Sequence, residues 1–245
     1  MKTDIFGVLF DNYTIDEAVQ KAVSSLEEDK PFVIATPNPE IVDVARKDSE
    51  YKAILNSSDI VTPDGIGIVY ASKFLNGNIK ERAAGFDIVC GIISELDKCS
   101  GSVFLFGSKP GVAESAANNL LKKYENLKIS GCRNGYFKDD SEIISAIQES
   151  KPDLLLVCLG APKQEKWIFE NRDKLNCHVM MGVGGTIDVL AGTAERAPDI
   201  WCDMGFEWLY RLFKQPSRFF RMMALPKFAL TVIFKGRKFS QGDDE

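Results

Sequence analysis

Histidine and closely spaced cysteines are scarce in this sequence. His178 is the single histidine, and the six cysteines include no Cys-x-x-Cys pair. A zinc finger, a His-Glu-x-x-His metalloprotease and a Ser-His-Asp triad built on any other histidine are therefore excluded. Several cysteines lie in apolar runs, such as Cys158 after Leu-Leu-Leu-Val. We expect buried thiols in a reducing compartment rather than disulfides.

Nucleotide-binding fingerprints and a leader segment are also missing. Neither Gly-x-Gly-x-x-Gly nor Gly-x-x-x-x-Gly-Lys-Ser/Thr occurs, so the nicotinamide and P-loop interpretations lack their motifs. The first eleven residues hold acidic residues beside an apolar run that is too short for a signal peptide. We therefore expect the chain to be cytoplasmic.

Charge is distributed unevenly along the 245 residues, of which 45% are hydrophobic. Between Trp208 and Gly242 there are eight cations and no acid, and the remaining 22 cations and 35 acids give a net charge of −13. A cationic segment on an acidic body favours a polyanionic partner. Many aromatic and aliphatic residues separate the cations, which favours an anionic membrane surface over nucleic acid.

Apolar runs alternate with amphipathic patterns along most of the chain. This alternation predicts an α/β fold, Rossmann-like, with a mostly parallel sheet and helices on both faces. The predicted strands cover 32–36, 102–108, 128–132, 153–159 and 178–183. The predicted helices cover 40–55, 64–75, 85–96, 110–124, 141–150 and 162–175.

A change of pattern near Ala197-Pro198 divides the chain. Residues 1–197 are predicted to form the Rossmann-like domain, and 198–239 a helical, basic, amphipathic appendage that associates with a membrane. Residues 240–245 are predicted to be a disordered tail. The sequence leaves open whether the protein forms a homo-oligomer.

Small and polar residues follow four of the predicted strands, at 36–40, 107–111, 160–167 and 184–188. Ligands of open parallel sheets bind beyond the carboxyl ends of the strands, where loops and helix amino termini present backbone amides. Taken singly, each segment has an ordinary interpretation. Gly107 and the pair Gly184-Gly185 suit tight turns, and Asp64 suits a helix start.

Seven short motifs, taken together and in order, are more specific. They are Thr-Pro-Asn-Pro-Glu (36–40), Thr-Pro-Asp-Gly-Ile-Gly (62–67), Glu-Arg-Ala-Ala-Gly-Phe-Asp (81–87), Gly-Ala-Pro-Lys-Gln-Glu-Lys-Trp (160–167), Gly-Val-Gly-Gly-Thr-Ile-Asp (182–188), Arg-Ala-Pro (196–198) and Gly-Phe-Glu-Trp-Leu-Tyr-Arg (205–211). With these motifs the sequence resembles the WecG/TagA/CpsF family of bacterial glycosyltransferases over residues 4–234.

The resemblance implies an inverting transfer of N-acetylmannosamine from its UDP derivative to the 4-hydroxyl of N-acetylglucosamine on undecaprenyl diphosphate. This is a step of teichoic acid linkage-unit synthesis. The alternative within the family is another donor, UDP-N-acetylmannosaminuronic acid or a UDP-hexose, in a different surface polysaccharide pathway. A lipid-linked acceptor implies a peripheral location on the inner face of the cell membrane.

The resemblance also implies roles for individual residues. Asp64 matches the catalytic base and Thr36 the threonine beside it. The remaining matches fall into two groups. The substrate-binding positions are Asn38, Arg82, Gln164, Arg211, Arg218 and Arg221. The positions expected to contact uridine are Tyr136 and Asp188. The strand ends, independently of the resemblance, predict UDP binding at Gly107, Gly160, Gly184 and Gly185.

The chemistry of the residues agrees with these roles. Inversion by a single displacement needs one carboxylate to accept the proton of the attacking hydroxyl, and Asp64 supplies one. The departing UDP needs cations or amide dipoles, which Arg82, the arginines of the appendage and helix amino termini offer. No Asp-x-Asp motif occurs, which predicts a metal-independent reaction without a cofactor.

Two other classes of protein stay open at this point. A nicotinamide-dependent oxidoreductase would share the sheet but lacks the glycine fingerprint. A non-catalytic module that binds membrane surfaces would keep the basic appendage but would leave the polar strand ends unexplained.

Overall fold

The computed structural model describes residues 2–214 and 223–239. The strands in these ranges are β1 Thr3–Ile5, β2 Val8–Phe10, β3 Phe32–Ala35, β4 Ile60–Val61, β5 Ser102–Gly107, β6 Lys128–Arg133, β7 Leu154–Cys158 and β8 Val179–Gly182. The α-helices are α1 Ile15–Ser24, α2 Pro39–Ala45, α3 Ser49–Asn56, α4 Ile66–Phe74, α5 Gly85–Lys98, α6 Val112–Lys123, α7 Ser141–Ser150, α8 Lys163–Asn171, α9 Thr186–Leu190, α10 Asp199–Asp203, α11 Glu207–Lys214 and α12 Ala224–Phe239.

Six strands form one parallel sheet in the order β4-β3-β8-β7-β5-β6. Side chains of each strand alternate between two apolar layers. In β5, Val103 and Leu105 pack against α1, α5, α6 and α9, whereas Phe104 and Phe106 pack against α7 and α8. Burial on both faces explains why these strands are continuous apolar runs. The predicted α/β class, with a parallel sheet between two layers of helices, is confirmed.

The helix predicted over 40–55 is two helices, α2 and α3. The break falls at Asp48, whose Oδ1 accepts a hydrogen bond from Tyr51 N–H at 2.9 Å and so begins α3 as an N-cap. The helix predicted from residue 64 begins at Ile66, which leaves Asp64 in the loop before it. The helix predicted over 162–175 ends at Asn171 and continues as a 3₁₀ turn, Arg172–Lys174.

A β-hairpin and one further helix precede the sheet and were not predicted. Strands β1 and β2 pair through a turn at Phe6 and Gly7, both with positive φ. Helix α1 begins with a capping box in which Thr14 and Glu17 exchange side-chain and backbone hydrogen bonds. The Thr-x-x-Glu spacing is the sequence signal for this helix.

Helix α12 docks on the body through one of its faces. Phe228 and Val232 are buried in a core shared with the hairpin, α2 and α4, and the Phe228 ring meets Phe6 edge-on with centroids 6.0 Å apart. Ile233 and Phe234 on the same helix are 49% and 72% exposed. The helix therefore both packs on the body and presents apolar surface outward. In the part of the chain that the structure describes, no helix is sufficiently long and apolar to span a membrane.

Asp43 on α2 links α12 to the body electrostatically. Burial would raise the pKa of this carboxyl, but hydrogen bonds from Lys47, Arg46 and Lys227 of α12 outweigh burial and lower the pKa to about 2. The folded carboxyl thus has a lower pKa than the unfolded one, whose value is 3.8. Its contribution to stability is present above pH 4 and is lost as the pH falls from there toward 2.

Asp43→Asn is expected to lower the free energy of unfolding by about 1 kcal/mol at neutral pH, since the lysine partners are half-exposed and screened. Urea titrations of both proteins at pH 7 and pH 3 measure this difference. It should shrink at pH 3. A difference that does not depend on pH would contradict the ion-pair explanation.

Candidate active site

The order of the strands predicts a crevice at their carboxyl ends, between the two helical layers. After β8 and β5 the chain enters α9 and α6 on one face, whereas after β7, which lies between them, it enters α8 on the other. Neighbouring strands that send the chain to opposite faces leave an opening, where open α/β sheets bind their ligands.

Three charged residues meet at the β4 end of this crevice. We call Asp64, Arg82 and Glu207 the carboxylate cluster. Arg82 Nε lies 3.8 Å from Asp64 Oδ1, and Arg82 Nη2 donates a hydrogen bond to Glu207 Oε2. The side chains of Arg82 and Glu207 are 17% and 14% exposed, whereas that of Asp64 is 32% exposed. Asp64 is thus the carboxylate of the cluster that solvent or a ligand reaches most easily.

Backbone hydrogen bonds between loops hold Asp64 and Arg82 in place. Asp64 N–H donates to the carbonyl of Pro37, after β3, at 3.2 Å. Ala83 N–H, next to Arg82, donates to the carbonyl of Pro63 at 3.0 Å. The three motifs at 36–40, 62–67 and 81–87 therefore form one connected structure.

Glu207 reaches the cluster because the turn before α11 packs tightly on α4. Gly205 has a φ of +76°, and a Cβ there would lie 2.9 Å from Ile66 Cγ2 at the start of α4. Glu207 was not predicted as a site residue. It lies within the 205–211 motif, but nothing in the sequence indicates its contact with Arg82, 125 residues away.

The electrostatics of Arg82 follow from its two neighbours. Burial by itself would lower the pKa of the guanidinium, but the negative charges of Asp64 and Glu207 raise it above its ordinary value. Arg82 Nε is buried and has no hydrogen-bond partner among the described residues. Arg82 is therefore a fixed cation beside the predicted base.

Thr36 and Asn38 lie in the loop after β3. A Cβ on Gly85, the first residue of α5, would lie 2.8 Å from Thr36 Oγ1, so only glycine allows α5 to begin against this hydroxyl. Asn38 caps α2, with its Oδ1 accepting from Ile41 N–H at 3.0 Å. The structure thus gives Asn38 a structural contact, and its predicted contact with substrate stays a prediction.

Gly107 and Asp188 lie together at the ends of β5 and β8. Gly107 has a φ of +124°, and a Cβ there would lie 2.2 Å from the carbonyl oxygen of Cys158, so no other residue fits. The next residue, Ser108, donates its hydroxyl to Asp188 Oδ1 at 2.9 Å. The thiol of Cys158 donates to the carbonyl of Gly184, and burial, reinforced by Asp188, raises its pKa to about 12.

Gln164 joins the loops after β7 and β8. Its Oε1 accepts from Gly160 N–H at 3.2 Å and from Gly184 N–H at 3.0 Å, and the side chain is buried. These two amides are therefore already bonded within the protein. A Cβ added at Gly160, Gly184 or Gly185 would meet nothing within 4 Å, which leaves open space over the loops.

Tyr136 lies after β6 and is 70% exposed. Its loop is fixed to the β5 end, because Gly135 N–H donates to the carbonyl of Ser108 at 2.9 Å. An exposed ring on a fixed loop suits the predicted contact with a nucleobase.

Of the three predicted arginines of the appendage, the described residues include only Arg211, and of that residue only the backbone. Arg218 and Arg221 lie outside the described residues, as do residues 240–245 and the side chain of Arg211. The helix that carries Arg211, α11, is fixed to the 192–197 loop: Lys214 Nζ lies 2.7 Å from Glu195 Oε2, and Tyr210 donates its hydroxyl to the same carboxylate at 3.1 Å. Its backbone therefore starts at the carboxylate cluster and runs beside that loop.

Within residues 2–214 and 223–239, no group of three or more histidine, cysteine, aspartate or glutamate side chains lies together in a way that could hold a metal ion. The metal-independent reaction stays a prediction, to be tested directly by binding in chelator.

Known proteins are similar to this chain over most of its length. The chain matches the Glycosyl transferase WecG/TagA/CpsF family over residues 3–242. It is 38% identical over 201 residues, 82% of this chain and 78% of the relative, to an N-acetylglucosaminyldiphosphoundecaprenol N-acetyl-beta-D-mannosaminyltransferase of Bacillus subtilis (strain 168). A protein with the same name in Bacillus spizizenii is 34% identical over 89% of this chain and 87% of its own length. Another in Staphylococcus aureus (strain MRSA252) is 33% identical over 97% of this chain and 94% of its own length.

The family match spans all seven motifs. The chain therefore belongs to the WecG/TagA/CpsF family and is a glycosyltransferase.

Proposed function

We propose that this glycosyltransferase moves N-acetylmannosamine from UDP to the 4-hydroxyl of N-acetylglucosamine carried on undecaprenyl diphosphate, with inversion at the transferred sugar. The observation that carries the proposal is the position of Asp64, a partly exposed carboxylate held beside the buried cation Arg82 at the mouth of the crevice. The names of the relatives support the sugar, the acceptor and the β configuration of the product.

Asp64 is the general base in this proposal. Its carboxylate accepts the proton of the acceptor 4-hydroxyl as that oxygen attacks the anomeric carbon, and the bond from that carbon to UDP breaks. Arg82, whose Nε lies 3.8 Å from Asp64 Oδ1, offsets part of the negative charge of this carboxylate. Thr36 lies in the neighbouring loop, where its hydroxyl positions a substrate hydroxyl.

The donor nucleotide lies over the ends of β8, β7 and β5. Asp188 and the exposed ring of Tyr136 hold uridine, and the open space over Gly184-Gly185 and Gly160 accommodates the diphosphate. Strands β4 and β7 are three inter-strand spacings apart, about 14 Å. In this proposal the reacting sugar lies across that separation, between the nucleotide and Asp64.

The acceptor lipid implies docking at the inner face of the cell membrane. The outward apolar side chains of α12, together with the basic residues between Trp208 and Gly242, suit an anionic bilayer surface. Arg211, Arg218 and Arg221 are the cations proposed to meet the acceptor diphosphate.

UDP is expected to bind in the presence of EDTA with an affinity within about threefold of that in Mg²⁺, because arginines and amide dipoles replace a metal in the proposed site. Titration calorimetry with each buffer measures this. Binding that is lost in EDTA would overturn the metal-independent route.

The function itself is tested by incubating the full chain with UDP-N-acetylmannosamine and a short-chain lipid diphosphate bearing N-acetylglucosamine. UDP release and the mass of the lipid product are followed. One added N-acetylhexosamine per lipid supports the proposal. Turnover only with UDP-N-acetylmannosaminuronic acid or a UDP-hexose would reassign the donor.

A further inference from the structure

A chain of three hydrogen-bonded side chains runs from α3 to the loops at the carboxyl ends of the strands. The Tyr51 hydroxyl donates to Glu165 Oε2 at 3.1 Å, and Gln164 Nε2 donates to Glu165 Oε1 at 2.7 Å. Gln164 Oε1 then accepts from Gly160 N–H and Gly184 N–H. Tyr51 is fully buried and Gln164 is 3% exposed.

Glu165 determines which way the amide of Gln164 faces. Both glycine contacts are N–H donors, so the amide must present its oxygen to them and its NH₂ group to the other side. An acceptor is required there, and Glu165 supplies it. Rotation of the amide by 180° would place NH₂ against two N–H donors and cost three buried hydrogen bonds.

Glu165 is held in an environment that opposes its charge. Burial raises the pKa of its carboxyl, although the hydrogen bonds from Gln164 and Tyr51 act in the opposite direction. Removing an acidic group from water costs free energy. The packing of α8 does not require an acid, because Ile168 on the same helix packs into the core with an apolar side chain.

We propose that Glu165 is a positioning residue of the donor site. Through Gln164 it fixes the separation of the loops that begin at Gly160 and Gly184, over which the diphosphate of the donor lies. The inference rests on the proposed function for the identity of the ligand, UDP.

The test compares five variants of the full chain by calorimetry with UDP and by thermal unfolding. Glu165→Leu removes the acceptor for Gln164 and is expected to weaken UDP binding about 10-fold. Glu165→Gln keeps an acceptor oxygen toward Gln164 and is expected to stay within about threefold of the parent. Tyr51→Phe leaves the Gln164–Glu165 contact in place and serves as the matched control, with near-parental affinity.

The fourth variant exchanges the two side chains, Gln164→Glu with Glu165→Gln. The exchanged pair can make every hydrogen bond of the original, with the carboxylate now accepting from both glycine amides. It is expected to bind UDP like the parent, whereas Gln164→Glu alone places two carboxylates in contact and loses at least 10-fold. This rescue stays informative if Glu165→Leu does not fold.

Two results would overturn the inference: parental UDP affinity in Glu165→Leu, or no rescue by the exchange. If the affinity for UDP falls in step with the melting temperature across the variants, Glu165 acts on stability alone, which would also overturn the inference. Because UDP binding is measured rather than transfer, a parent that binds UDP but transfers no sugar would sink the proposed function and leave this inference standing.

Discussion

Asp64→Asn is expected to lower kcat by about 10²- to 10⁴-fold, because the amide that replaces the carboxylate cannot accept the proton of the acceptor hydroxyl. KM for both substrates should change little, since asparagine keeps the shape of the side chain and the backbone bond to Pro37. Turnover of the short-chain acceptor, measured as UDP release, gives both constants.

Asp173→Asn is the matched control for this variant. Asp173 follows α8 at the opposite, amino-terminal edge of the sheet, and its side chain is 82% exposed. Its replacement should leave kcat unchanged. A folded Asp64→Asn protein with the turnover of the parent would show that another group accepts the proton.

The second large effect is expected when Arg82 is replaced by glutamine. Arg82 is the cation between the carboxylates of Asp64 and Glu207, so its loss leaves two acids facing each other without compensation. A hydrogen bond to a charged group contributes about 1.5–3 kcal/mol, which corresponds to a loss of about 10- to 150-fold in kcat/KM.

Glu207→Gln should lose about 10-fold, because it weakens the contact that orients Arg82. In the Arg82→Gln background the same change should cost nothing further, since it removes one of the two opposed acids. Arg172→Gln, at the end of α8 away from the crevice, controls for the loss of an arginine. If the losses of kcat/KM in Arg82→Gln and Glu207→Gln add up in the double variant, the two residues act independently. In that case α11 does not position the base.

The fold was predictable wherever burial is uniform along a strand. Apolar runs such as Leu154–Cys158 exist because both faces of the sheet are covered, so the sequence alone indicates a parallel sheet. The hairpin of β1 and β2 was missed because its strands have three residues each and only one buried face. The break between α2 and α3 depends on a single aspartate cap, which the apolar pattern on either side does not reveal.

The candidate site was predictable where its residues follow strands. Thr36 and Asp64 lie in the loops after β3 and β4, and Gln164 lies in the first turn of α8, which follows β7. Parallel topology alone brings the carboxyl ends of these strands to one edge. The contacts of Glu207 with Arg82 and of Glu165 with Tyr51 join residues 125 and 114 positions apart. They depend on how helices pack, which no local pattern encodes.

A single displacement at the sugar, with Asp64 as the base, inverts the anomeric carbon. NMR on the lipid product made from the α-configured UDP-N-acetylmannosamine in EDTA determines the anomeric configuration of the new linkage. A single displacement gives the β-linked product. An α-linked product would require retention, hence a different mechanism, and would contradict the assignment of Asp64 as the base of an inverting transfer.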